Sequence, residues 1–219
     1  MTLLTASLLG GLLALDATAV GQFMVSRPLA AGLLAGWLAG DPVTGFLVGV
    51  VLEIYLLVAF PVGGARFPEG ATATVVAAVT AASNPGPGAL ALGVGLGLVW
   101  GQLGGWTISG MRTLNSYMAP DPAAPDVRPS MVVVGHLLAV LLDFLRGAVV
   151  TGTGVWFAQN AVNRLGGNWP LDQADTLGLL LVGAAVSVGI LLRSFGGLAR
   201  RRVLFFAGLI AGVAGGLLL

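Results

Sequence analysis

The chain has 219 residues, 57% of them hydrophobic and 9% charged, with a mean hydropathy of +0.96, where a soluble domain carries about 25% charged residues. That is the composition of an integral membrane protein, and a net charge of +1 leaves out the basic footprint that a nucleic-acid partner needs. The absence of cysteine excludes disulfides, thiolate metal sites and cysteine phosphoryl carriers.

The N-terminal MTLLTASLLGGLLALDATAV lacks a basic n-region and holds Asp16 inside its apolar run, so it reads as retained structure, not a signal peptide. Period-two alternation is absent, which predicts an α-helical bundle and not a β-barrel. Apolar runs fall near 2–24, 29–40, 43–60, 71–82, 88–111, 131–158, 176–192 and 203–219. The runs 29–40 and 71–82 are the short ones, about 18 Å as helix against a bilayer core of roughly 30 Å. Broken backbone at membrane depth survives only where protein or a water-filled cavity satisfies it, so two half-length elements in the first third predict a transport site there. The fold class expected is an all-α integral membrane protein, a multi-helix bundle with short re-entrant or broken half-helices.

Local signals mark the ends of the short runs. Pro28 is placed to open the helix 28–40, and Asp41-Pro42 has the form of an N-cap followed by a first-turn proline. Cysteines placed at Trp37, Ala39 and Gly40 are expected to meet water, with Leu33 on the packed side. Further on, Gly93, Gly97, Gly101 and Gly105 share one helix face, as do Gly208, Gly212 and Gly216; such faces let helices approach closely in lipid and are expected to meet protein neighbours. The segments 112–130 and 159–175 read as aqueous loops. The cluster Arg200, Arg201 and Arg202 suggests a cytoplasmic edge.

Ionisable groups in or beside apolar runs are costly, and each is a candidate for function. Asp16, Arg27 and Glu53 make either a polar pocket whose carboxylates accept from vicinal sugar hydroxyls or an ion-pair cluster that fixes packing. Glu69 closes FPVGGARFPEG and either contacts ligand or stabilises the start of the next helix. Asp143 and Arg146, three residues apart on one helix, are expected to neutralise each other structurally. His136, the single histidine, has no second metal ligand beside it and reads as a core or interface side chain. No motif for catalysis, metal or cofactor binding is found.

The order Leu15-Asp16, SRPLAAGLLAGWLAGDPVTG, Leu52-Glu53 and FPVGGARFPEG resembles the IIC subunit of the mannose/fructose/sorbose family of the bacterial phosphoenolpyruvate-dependent sugar phosphotransferase system. The resemblance is clearest over residues 15–80 and rests on Arg27, Pro28, Gly40, Asp41, Thr44, Gly45, Leu52, Glu53, Pro61, Gly63 and Glu69. Ser26 stands where the family usually has His, and Met24 where some members have Gln. The resemblance implies a single translocator domain over 1–219, its site-forming part about 15–83 and its packing helices about 88–219. It implies a multi-pass subunit of a bacterial inner membrane, with no phosphoryl-carrying residue of its own. Its partners would be a IID membrane subunit and cytoplasmic IIA and IIB carriers, in an oligomer. A hexose-like sugar would be held by Asp16, Gln22, Arg27, Glu53 and Glu69. The competing expectation is a membrane scaffold or sensor that keeps the fold without the site.

Overall fold

A computed structural model of the chain describes residues 1–59, 65–120, 128–194, 202–203, 205–208 and 210. Pro61, Gly63, Arg200, Arg201, Gly212 and Gly216, named above, lie outside the described residues. The elements run α1 (Leu3–Thr18), α2 (Pro28–Ala39), α3 (Pro42–Leu56), α4 (Gly70–Ser83), α5 (Pro87–Met118), α6 (Pro129–Leu165), a 3₁₀ turn (Gly166–Asn168) and α7 (Gln173–Ser194), with no strand among the described residues. Three of these helices, α5, α6 and α7, are long and apolar enough to cross a membrane.

The first third holds four short helices where hydropathy predicts two. The run 2–24 gives a helix of only 16 residues, because Asp16 stops it. The Asp16 carboxylate accepts from the backbone N–H of Phe23 at 2.7 Å and of Ser26 at 2.8 Å. That fold-back places Gly21, Gln22 and Met24 at φ of 84°, 52° and 65°, a left-handed conformation that strains the two non-glycine residues. The connection is itself apolar, so a hydropathy profile cannot see the break. The run 43–60 similarly yields a helix of 15 residues.

The fences of α2 and α3 behave as their chemistry predicts. Proline opens both helices, where a missing N–H costs nothing. Gly40 ends α2 at φ 96°, and the Asp41 carboxylate accepts from the Thr44 N–H at 3.0 Å and the Thr44 hydroxyl at 2.6 Å. The two helices pack back on each other through Gly32, Gly36, Gly45 and Gly49; a Cβ on Gly36 would lie 2.6 Å from the Asp41 carbonyl oxygen and 2.6 Å from the Gly45 Cα. The packed face of α2 is therefore Ala31, Gly32, Ala35 and Gly36. Leu33, expected on that face, is exposed, because only the small side lets the backbones approach this closely.

Helix α4 is the centre of the bundle, with Ala71 through Ala81 all buried. It packs against α1, α2, α3, α5 and α6. The glycine face of α5 lies on it: a Cβ on Gly97 would sit 2.7 Å from both the Ala73 carbonyl oxygen and the Ala77 Cβ. That face thus meets a helix of its own chain. Two predicted loops are shorter than expected, since α5 continues to Met118 and α6 runs from Pro129 to Leu165.

Candidate functional site

The ends of α1, α3 and the starts of α2 and α4 converge, and a guanidinium from α6 ties them to α5. Arg146 forms a two-pronged pair with Glu69, Nη2 to Oε1 at 2.9 Å and Nη1 to Oε2 at 2.9 Å. Its Nε donates to Asp143 Oδ1 at 2.7 Å, and Nη1 also reaches the Thr107 hydroxyl at 3.2 Å. Thr72 donates to Glu69 Oε2 at 3.0 Å, and the Thr18 hydroxyl donates to Asp143 Oδ2. The Arg146 and Glu69 side chains are only 6% and 1% exposed, so the charges must satisfy each other. The Asp143–Arg146 pairing matches the sequence expectation. Glu69, expected beside the ligand, has both oxygens taken by Arg146 and lies inside the bundle, because an unpaired Arg146 there would be costly.

A second pair is placed differently. The Arg27 guanidinium donates to Glu53 Oε1, and the Leu29 N–H at the start of α2 donates to Glu53 Oε2 at 3.3 Å. These side chains are 49% and 21% exposed, and with Ser26, Phe67 and Pro68 they line a cavity of about 170 Å³. This pocket is at the Arg27 end of α2. A separate cavity of about 280 Å³, lined by Asp41, Thr44, Asn84 and Gln173, lies at the other end.

A larger cavity of about 580 Å³ adjoins the Arg27–Glu53 pocket, lined by Gln22, Arg112, Asn115, His136 and Asp143 among others. Ala17 and Phe67 line both and so form the partition between them. The Arg112 guanidinium sits 5.6 Å from the centroid of the Phe67 ring, a cation–π contact. His136 lines this space and is exposed, so of the two expected placements, core or interface, it does not take the core one.

Of the five expected ligand residues, the structure brings Arg27 and Glu53 together at one cavity and sets Gln22 at its neighbour. Asp16 spends its carboxylate on the backbone of residues 23 and 26. Sequence reasoning missed Phe67, Arg112 and Asn115, although a signal for two of them existed. The stripe Gly101, Gly105, Ile108, Arg112, Asn115 keeps the helical spacing of the glycine face, so it continues that face past the start of α4. Among the described residues no group of three or more His, Cys, Asp or Glu is arranged to hold a metal ion.

None of the curated proteins matches the chain. A solved structure described as a membrane protein matches with a TM-score of 0.73 at 20% identity, over 100% of this chain and 94% of that one, which supports the membrane-protein fold. A family model described as the sorbose-specific IIC component of the phosphotransferase system matches residues 1–213. With nearly the whole chain matched, this membrane-embedded protein belongs to the sorbose-type IIC family, the sugar-transporting membrane subunits of the phosphotransferase system.

Proposed function

We propose that the chain binds a hexose-like sugar in the cavity at the Arg27–Glu53 pair and passes it across a bacterial inner membrane with a IID partner, for phosphorylation by IIA and IIB carriers. The observation that supports this most is the half-exposed ion pair. Arg27 offers donors and Glu53 acceptors to the same cavity, the mixture that vicinal hydroxyls need. Asp16 contributes by fixing the connection that carries Gln22, Ser26 and Arg27. Gln22 reaches the sugar from the adjoining cavity. Glu69 acts through Arg146, holding the start of α4 against α5 and α6 beneath the pocket.

The test is Glu53→Gln, which keeps the shape and removes the charge. Binding of sorbose, fructose or mannose to the membrane-embedded complex should weaken by roughly 1–3 kcal/mol, the worth of hydrogen bonds to a charged group, while the melting temperature stays near that of the parent. Unchanged affinity with a lowered melting temperature would favour the scaffold reading instead.

A further inference from the structure

We propose that the larger cavity, lined by Gln22, Arg112, Asn115, His136 and Asp143, is a second sugar station, entered from the Arg27–Glu53 pocket past Phe67. This rests on the reading of that pocket as a sugar site and extends it to residues of α5 and α6.

Three observations carry it. The two cavities share the walls Ala17 and Phe67, so displacing one aromatic side chain joins them. Phe67 is held by Arg112, for which no carboxylate partner is found among the described residues; the contact can break without stranding a buried ion pair. The Asn115 side-chain oxygen is buried with no hydrogen-bond partner, although a buried acceptor left unpaired is costly. A hydroxyl in the cavity would satisfy it.

The chemistry of the walls favours a neutral polyol over an anion. Arg112 and His136 supply donors, but the orphan Asn115 oxygen and the Asp143 carboxylate would repel a phosphate, and both accept from hydroxyls. A volume of about 580 Å³ lies within the range of small-molecule sites, ~300–1,000 Å³. Gln22, at the edge of the same space, offers an amide that both donates and accepts.

The chain has no cysteine, so single cysteines report each cavity separately in native membrane vesicles. A cysteine replacing Ala59 reads the Arg27–Glu53 pocket, and one replacing Val140 reads the larger cavity. Both should react with a small water-soluble thiol reagent, and saturating sorbose, fructose or mannose should slow both. Asn115→Leu should raise the sugar concentration needed to protect position 140 by roughly five- to tenfold, the worth of one neutral hydrogen bond, and leave protection at position 59 unchanged. Gln22→Ala, at an exposed residue, should raise the concentration needed at position 140 as well, and at position 59 too, because Gln22 also reaches sugar held in the first pocket. Protection at position 59 with none at 140 would overturn the second station and leave the first reading standing. Protection of 140 by inorganic phosphate, and not by sugar, would overturn it in favour of an anion site. No protection at either position by any of the three sugars would remove both readings.

Discussion

Arg146 is the residue on which most of the buried polar structure depends. One guanidinium answers Glu69 and Asp143 together, and its planar fork is what makes the two-pronged pair with Glu69 possible. Arg146→Met should therefore leave two carboxylates without their counter-charge, at a cost of about 3–5 kcal/mol, read as a large fall in melting temperature in detergent. Arg146→Lys keeps the charge but loses the fork, so it should recover only part of that stability. Full recovery by lysine would show that charge alone is at work. The i,i+3 half of this network is legible in sequence, because helical spacing alone brings Asp143 to Arg146. The Glu69 half joins residues 77 positions apart, and no local pattern encodes that. The same limit applies to Asp16: its isolation in an apolar run marks it as unusual, but only the fold-back of residues 21–26 shows that its partners are backbone amides.

At the scale of elements, the α2–α3 hairpin is a contact of backbones, and its glycines have no room for side chains. Gly36→Ala would set a methyl group against the Asp41 carbonyl oxygen and the Gly45 Cα, neither of which can turn aside. Overpacking of this kind costs about 1–3 kcal/mol, and it should also shift the Arg27 end of α2 and weaken sugar binding along with thermal stability. Gly95, on the opposite side of α5 from the glycine face, has nothing within 4 Å of an added Cβ. Gly95→Ala should accordingly be neutral or raise stability by up to ~1 kcal/mol through helix propensity. Equal losses at both positions would mean that glycine content matters and the contacts do not. The hairpin's ends were legible because Pro28, Gly40, Asp41 and Pro42 act through local geometry. The break after α1 was not, since it is made by one carboxylate within an unbroken apolar run.

Across the whole molecule, charge is distributed unevenly between the two ends of the bundle. The end of α5, the start of α6 and the end of α7 lie on one side and carry Arg112, Arg128 and Arg193. The opposite side carries Asp41 before α3, and Asp172 and Asp175 at the start of α7, with Arg164 as its one described arginine. By the positive-inside rule the Arg112 side is expected to face the cytoplasm. Arg112, Arg128 and Arg193 give this cue without Arg200 and Arg201. Helices α1 to α4 have 16, 12, 15 and 14 residues, and even 16 residues reach only about 24 Å of a bilayer core of roughly 30 Å. Starting from the Asp41 side, their far ends would stop within the membrane, and this orientation would set the Arg27–Glu53 pocket at depth with the larger cavity on its cytoplasmic side. That order would suit the proposed delivery of sugar to cytoplasmic phosphoryl donors. Single cysteines at Ser116 and at Asp172 test it in intact cells with a membrane-impermeant thiol reagent. The cysteine at 172 should label in intact cells, whereas that at 116 should label only after the membrane is permeabilised. The reverse pattern would turn the molecule over, place the larger cavity on the outer side, and make it the entrance to the Arg27–Glu53 pocket instead of its exit.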